Sequence, residues 1–543
     1  MPKFGLKLTR KCGHRLIALT LALIIGIANP AVALGSTLDE VRYLLETQYV
    51  KTLDSSVLNA SSVEEILKKV GDPHTDFFTR SEFQEFLDSM NMSFSGIGVY
   101  IQQEPRGLEI TSVIKGSPAE EAKLQAGDII IEADGRSLAG LSQEVATGLV
   151  RGPEGTTVNI VVLRGEERLK FKVTRRNIEV PTVTGEMLDK SIGYVAIESF
   201  GTDTKETFQQ VVKDLYKKGA KAWIIDLRNN TGGYLDTALE LAGFFIGEQT
   251  ALITKDRSQK ATEYKGVKQD LLITEPTIFL TNGYSASASE ILTAVVKDYK
   301  KAVVVGTKTY GKGSVQTLYQ LSEGDYLKLT VAEFYSPLGK AINGVGVSPD
   351  VTIKDNDPVA MAQLMLENYT QKAGAAKNSQ YLNFSAGGKD WSIDLKEATT
   401  PENWFTFKEL LQKNSFRFTW WDGSQVKTFT ADEQKALWPF FYPGYKGMAE
   451  LNNLPLDKTF TVRFTAPIVW NSVTGETIEL IARDTGERIP VKLEQIDERT
   501  VKVIPEVSLE PQTSYWLVIH QGIKGQDGST LQQGALTVVS TGK

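Results

Sequence analysis

Cysteine and histidine are scarce in this chain: its 543 residues hold one Cys and three His. Cys12 lies in a basic N-terminal stretch ahead of an apolar run, where it is not placed to carry a lipid anchor. Once that stretch is removed, no disulfide, thiol nucleophile or thiolate metal site is available. Imidazoles are equally limited. His14 belongs to the same leader, His74 to the turn Gly71-Asp72-Pro73-His74-Thr75, and His520 to the end of a strand-like run. Neither a metal nor a cofactor is expected. A strong excess of one charge is also missing, and a net charge of −6 argues against nucleic acid as a general partner. Without disulfides the fold must rest on apolar burial, for which this length is ample.

The N-terminus reads as an address. Lys3, Lys7, Arg10, Lys11 and Arg15 precede the apolar stretch Leu16 to Ala28, and Ala31-Val32-Ala33 offers a small-residue cleavage site. This is the pattern of a secretory signal peptide over residues 1–33. Its apolar core is shorter than the ~20 residues of a membrane span. The expected location is therefore extracellular or in the cell envelope, with membrane anchoring as the alternative if the leader is not cleaved.

With histidine so rare, Ser287 and Lys312 become the informative pair. Ser287 sits in Asn282-Gly283-Tyr284-Ser285-Ala286-Ser287-Ala288-Ser289-Glu290. The apolar run Ile278-Phe279-Leu280 before it reads as a buried strand, and Ile291, Leu292, Val295 and Val296 after it recur at helical spacing. A serine at a strand-to-helix turn has backbone N–H groups beside it that can hold a developing oxyanion. Its hydroxyl still needs a base. Lys312 lies 25 residues on, in Thr309-Tyr310-Gly311-Lys312-Gly313-Ser314-Val315-Gln316, followed by Val315, Leu318 and Leu321 with no acid before Glu323. Burial in such a setting lowers a lysine pKa and frees the amine.

Each residue has a plainer reading: Ser287 as a small helix-packing residue, Lys312 as a solvated turn lysine. A phosphate loop is the sharper rival, since Gly306-Thr307-Lys308-Thr309-Tyr310-Gly311-Lys312 nearly spells one. It requires Ser or Thr after the lysine and a helix beyond; Gly313 and the strand-like Ser314 to Leu318 supply neither.

The serine motif, the step to a Gly-Lys-Gly turn and the glutamine four beyond the lysine together resemble the carboxyl-terminal processing peptidases, or tail-specific proteases, from about Leu38 to Met365. The resemblance implies Ser287 as nucleophile, Lys312 as general base and Gln316 as the group that orients the lysine. Gln316 lies an even step from Lys312, so on a strand the two would share a face. Glu290 reads as structural rather than catalytic. A glycine turn, Arg228-Asn229-Asn230-Thr231-Gly232-Gly233, follows the strand Ala222 to Leu227; the resemblance implies oxyanion donors at Gly232 and Ala288, with Gly233 as the alternative.

Upstream, Gly96-Ile97-Gly98-Val99, the strand Ile110 to Ile114, the helix start Ser117-Pro118-Ala119-Glu120 and the strand restart Gly127 to Ile131 resemble a PDZ domain over residues 93–174. Such domains add a peptide to a sheet edge and hold its C-terminal carboxylate on backbone N–H groups. That implies Gly96, Ile97 and Gly98 as the carboxylate turn, Val99 to Ile101 as the pairing edge, and protein substrates with accessible C-termini as partners. Service as a lid alone is the other reading. Arg151 either couples tail binding to protease assembly or complements a helix end.

The expected fold is an α/β protease domain, residues 175–370 together with a helical N-terminal arm over 36–92, and an inserted β-rich, α+β PDZ domain. The resemblance implies that the arm helps form a homodimer; its residues equally allow packing on its own chain. A polar linker is expected over 371–384. An aromatic-rich region of unnamed fold follows over 385–453, read as a small core or, alternatively, as a cell-wall-stacking surface. Strand alternation over 454–543 resembles a bacterial Ig-like all-β sandwich. The functional expectation is an exported serine endopeptidase that reads C-terminal tails. The competing class is a non-catalytic cell-surface peptide-binding or adhesion protein.

Overall fold

The computed structural model describes residues 24–28, 35–370, 380–421 and 424–543. At its centre stand the parallel strands Ile192–Ile197, Ala222–Asp226, Thr277–Thr281, Val303–Gly306 and Val351–Thr352, adjacent in that order, with Val183–Leu188 antiparallel at one edge. Both faces are covered, which explains why these strands read as unbroken apolar runs. Val195, Ile225, Phe279 and Val304 face the helices Thr204–Lys217, Leu235–Ile246 and Ala288–Asp298. Their neighbours Ile224, Ile278, Leu280 and Val305 face the opposite way, onto Met361 and Met365 of the helix Pro358–Thr370. Each such fully buried aliphatic side chain is worth about 1.5–3 kcal/mol.

A second sheet carries the lysine. Ser314–Gln320 pairs antiparallel with Tyr326–Tyr335, which continues to Thr250–Asp256 and Ala261–Lys265; Asp76–Phe78 also pairs with Tyr326–Tyr335. On its other side Ser314–Gln320 receives Ile24–Ala28 as a parallel strand. The rest of the expected leader lies outside the described residues. The even-step argument for Lys312 and Gln316 does not hold. Lys312 precedes the strand, and the register shifts between Val315 and Gln316, so simple alternation does not run from one to the other.

The arm helices Thr37–Gln48 and Val63–Val70 pack Val41, Leu44, Leu45 and Ile66 onto Leu321, Leu327 and Leu329 of the same chain. In the region expected to be a PDZ domain, the sheet runs Val99–Glu104, Gly107–Val113, Ile129–Ala133, Thr157–Arg164, Glu167–Thr174 in spatial order. Ser93–Gly96 and Arg176–Glu179 pair with each other as its neck, so the expected boundary at residue 93 falls in a connecting ribbon.

Beyond residue 370, one expectation changes. The linker expected over 371–384 stops short, because Tyr381–Ala386 is already a strand paired with Lys389–Asp394; residues 371–379 lie outside the description. The aromatic region is a core. Trp391, Trp404, Phe407, Phe440 and Phe441 are buried, in one cluster with Met361 of the protease helix and with Trp516 and Ile481 of the C-terminal sandwich. The sandwich is thus fastened to the back of the protease sheet. Phe405 and Trp421 remain exposed.

Candidate active site

Ser287 sits at the N-cap of Ala288–Asp298 with φ 58° and ψ −112°. A non-glycine residue at positive φ of this kind is strained and persists only when its surroundings over-determine it. The surroundings are visible. Ala286 N–H donates to Asn230 O at 3.0 Å, Ser289 Oγ donates to the same carbonyl at 2.9 Å, and Ser285 Oγ donates to Leu227 O at 2.8 Å. The serine loop is thereby sewn to the glycine turn. Ser287 itself is buried, and its Oγ has no hydrogen-bond partner among the described residues.

Glu290, one turn into the helix, clasps the serine loop to the lysine loop. Its Oε2 accepts the N–H of Ser287 at 2.9 Å and of Lys312 at 2.8 Å; its Oε1 accepts the N–H of Gly311 at 2.7 Å and Thr309 Oγ1–H at 2.6 Å. Burial pushes the Glu290 carboxyl upward, and these four donors oppose that shift. Glu290 thus joins the loops of Ser287 and Lys312 through four hydrogen bonds. Tyr310 N–H to Ser285 O, 3.0 Å, adds a second stitch.

Lys312 is 3% exposed. Burial brings its ammonium down to about 7, and the charge of Lys328 pushes the same way, while Asp72 and Glu290 pull it up. Lys328 is buried as well, over the rings of Phe78 and Phe86 at 5.0 and 5.2 Å and 3.8 Å from Asp76. Gln316 Nε2 donates to Ser314 Oγ at 2.9 Å and Thr330 Oγ1 at 3.2 Å, which leaves its buried Oε1 as an open acceptor.

The turn containing His74, set aside by the sequence, belongs to this site. Thr75 Oγ1 donates to Asp72 Oδ2 at 2.7 Å and accepts the N–H of Thr330, the residue that receives Gln316. His74 is held down to about 4, first by burial and then by the charge of Lys312, and so is neutral when Lys312 titrates. The arm thus supplies the polar wall behind the lysine. No local signal in the turn points to this placement, because its partner Thr330 lies 255 residues away in sequence.

The two glycines offered as oxyanion donors differ in what their N–H groups do. Gly232 does lie against the serine, since a Cβ built there would fall 2.8 Å from Ser287 Cβ and 3.0 Å from Ala288 N. Its N–H, however, donates to Asn230 Oδ1 at 2.9 Å. Gly233 N–H and Ala288 N–H find no acceptor among the described residues. A Cβ at Gly233 would meet Phe200 O at 2.3 Å, which explains the glycine there.

In the PDZ domain Gly96, Ile97, Gly98, Val99, Ile101, Thr147, Val150 and Arg151 line one groove. Val99–Glu104 is an edge strand, and Ile97 and Gly98 lie just ahead of it, with Gly98 at φ +83°. A Cβ on Gly98 would fall 2.3 Å from Ser117 Cβ, so only glycine fits. Arg151 caps the helix Gln143–Val150 and stacks its guanidinium 5.1 Å from the Phe94 ring at the groove's end. A cation there complements the helix terminus.

Known proteins share these parts. The model of peptidase family S41 matches residues 191–353, that of the PDZ domain 109–164, and that of a bacterial Ig-like domain 449–540. A probable CtpA-like serine protease of Staphylococcus aureus (strain COL) is 35% identical over 319 residues, 58% of this chain. One of Staphylococcus haemolyticus (strain JCSC1435) is 33% identical over 354 residues, 62% of this chain. The match spans 64% of the length of the first and 69% of the second. Among solved structures, the photosystem II D1 C-terminal processing protease aligns with 25% identity and a TM-score of 0.39, over 58% of this chain and 92% of that one.

Proposed function

The chain belongs to peptidase family S41, and from that membership we propose that it is an exported serine endopeptidase that reads the C-terminal tails of proteins. The observation that carries the chemistry is the clasp: one buried carboxylate fixes the backbone of both Ser287, whose Oγ is buried and unpartnered, and Lys312, whose ammonium burial has weakened.

In the proposed cycle, neutral Lys312 Nζ takes the proton of Ser287 Oγ as the oxygen attacks the scissile carbonyl carbon. The carbonyl electrons move to oxygen, and the N–H groups of Ala288 and Gly233 stabilise that charge. The ammonium of Lys312 then returns the proton to the leaving nitrogen, the C–N bond breaks, and an acyl-serine remains. Water, deprotonated by the same amine, releases the new C-terminus and restores the hydroxyl. Gln316 Oε1 serves to orient the amine between these transfers.

Tail selection is assigned to the PDZ groove, where Ile97 and Gly98 receive the carboxylate, Val99–Glu104 pairs with the tail's backbone, and Arg151 adds charge. The basic leader, its apolar stretch and the small-residue site Ala31-Val32-Ala33 support export. The test is turnover of an unfolded protein. Ser287→Ala, Lys312→Ala and Lys312→Arg should each abolish it while the fold is retained, because arginine does not give up its proton. Full activity in Lys312→Arg would overturn the assignment of the base.

A further inference from the structure

The strand that carries Gln316 has two edges. One is filled by Tyr326–Tyr335, and the other by Ile24–Ala28, from the apolar stretch of the expected leader. Ile24 aligns with Gln316, Ile27 with Leu318 and Ala28 with Tyr319, in the parallel sense. Nothing else described pairs with that side. Removal of a leader cleaved after Ala33 would strip the edge and leave a row of N–H and C=O groups without partners. Folded proteins usually defend such edges with lysine, proline or a covering element. Ser314-Val315-Gln316-Thr317-Leu318-Tyr319-Gln320 contains no charge and no proline. An undefended edge is a template for another extended chain.

We infer that this outer edge of Ser314–Gln320 binds the backbone of the polypeptide to be cut, and that the leader segment Ile24–Ala28 occupies it in the unprocessed chain. The inference rests on the peptidase reading and names the surface that reading requires. Three observations carry it. The edge starts two residues after Lys312, so a chain seated on it lies beside the reactive loops. Its present occupant, Ile-Ile-Gly-Ile-Ala, is uncharged and extended, which identifies the fitting partner as an extended apolar stretch such as an unfolded protein exposes. The pairing slips register between Ile24 and Ile27 and still holds, so the edge grips backbone more than side-chain pattern. A surface that accepts many sequences needs that property.

Direction follows too. A parallel occupant enters at the Lys312 end and runs away from it. A substrate seated this way has the bond to be cut on the N-terminal side of the seated stretch, and its chain continues toward its own C-terminus. The leader in the same seat would keep substrate out until it is removed.

The test uses the full chain in detergent, in a Ser287→Ala background so that binding is read without cleavage. The probe is a labelled peptide, Lys-Ile-Ile-Gly-Ile-Ala-Lys, amidated at its C-terminus so that carboxylate recognition contributes nothing. Ile27→Pro places a proline, disfavoured within a strand, in the leader segment and should free the edge. Affinity for the probe should then rise about tenfold or more, because an occluded state lowers apparent affinity by the fraction that is competent. Amide exchange over residues 314–320 should slow when the probe binds, and methylating alternate backbone nitrogens of the probe should abolish binding. Equal affinity in the two chains, or protection that avoids residues 314–320, would overturn the inference. With Ser287 restored, the two proposals part company. If neither chain cleaves protein but the binding contrast persists, the peptidase reading fails, and the edge remains only a site for an extended chain that the leader occludes. If both cleave alike and the contrast is absent, the edge assignment fails alone.

Discussion

Replacing Lys328 by methionine should move the acidic limb of activity to higher pH. Lys312 must be neutral to act as base, so kcat/KM should fall about tenfold for each unit below its pKa. Burial and the charge of Lys328 bring that pKa down to about 7. Methionine keeps the unbranched stem over Phe78 and Phe86 and removes the charge. Lys328 lowers the pKa of Lys312, so its removal must raise it. Two unit charges within roughly 10 Å at an effective dielectric near 20 interact by about 1–2 kcal/mol, or about one pKa unit. Asp76 beside Lys328 screens part of this. A midpoint raised by about one unit leaves roughly a tenth of Lys312 neutral at pH 7 instead of half, so kcat/KM there should fall about fivefold and recover above pH 9. The assay is the pH profile of kcat/KM on a quenched unfolded polypeptide, with melting temperature as control. Asp76 is 53% exposed, so water can replace Lys328 as its partner and the melting temperature should change little. An unmoved limb in a folded Lys328→Met protein would refute the coupling.

Three further outcomes follow from the same geometry. His74→Asn should leave the limb near pH 7, because His74 is already neutral there; loss of the limb would make histidine the base. Glu290→Gln turns one acceptor oxygen into a donor facing two of the four groups it now receives, so both melting temperature and kcat should drop, with hydrogen bonds to charged groups worth about 1.5–3 kcal/mol each; unchanged kcat would show that the clasp is dispensable. A peptide with a free C-terminus should bind the full chain more tightly than its amidated twin, and Arg151→Ala should narrow that gap, as isothermal calorimetry would show; equal affinities would leave the PDZ domain as a lid.

The sequence made the protease sheet legible because doubly covered parallel strands are apolar throughout. Ile192–Ile197 and the hairpin of Ser314–Gln320 with Tyr326–Tyr335 lie where the apolar runs place them. The Ser287 and Lys312 loops were legible for another reason: each is local, with its glycines and small residues in one short string. Contacts that join distant strings were not. The Thr75–Thr330–Gln316 chain spans the arm and the hairpin, and nothing local in Gly71-Asp72-Pro73-His74-Thr75 announces it. Gly232 and Gly233 are adjacent and alike in sequence, and only the Asn230 side chain tells their N–H groups apart. The aromatic segment gave composition without partners; those partners, Met361 and Trp516, lie on either side of it in the chain. The strand slip between Val315 and Gln316 is invisible to any periodicity argument.

The most direct test of the whole account is made in cells that produce this protein. Protein C-termini are enriched and identified by mass spectrometry, with the active chain and with Ser287→Ala. The account predicts a set of exported proteins whose shortened C-termini appear only with the active chain and return to full length with Ser287→Ala. Identical sets of C-termini in the two cells would contradict it.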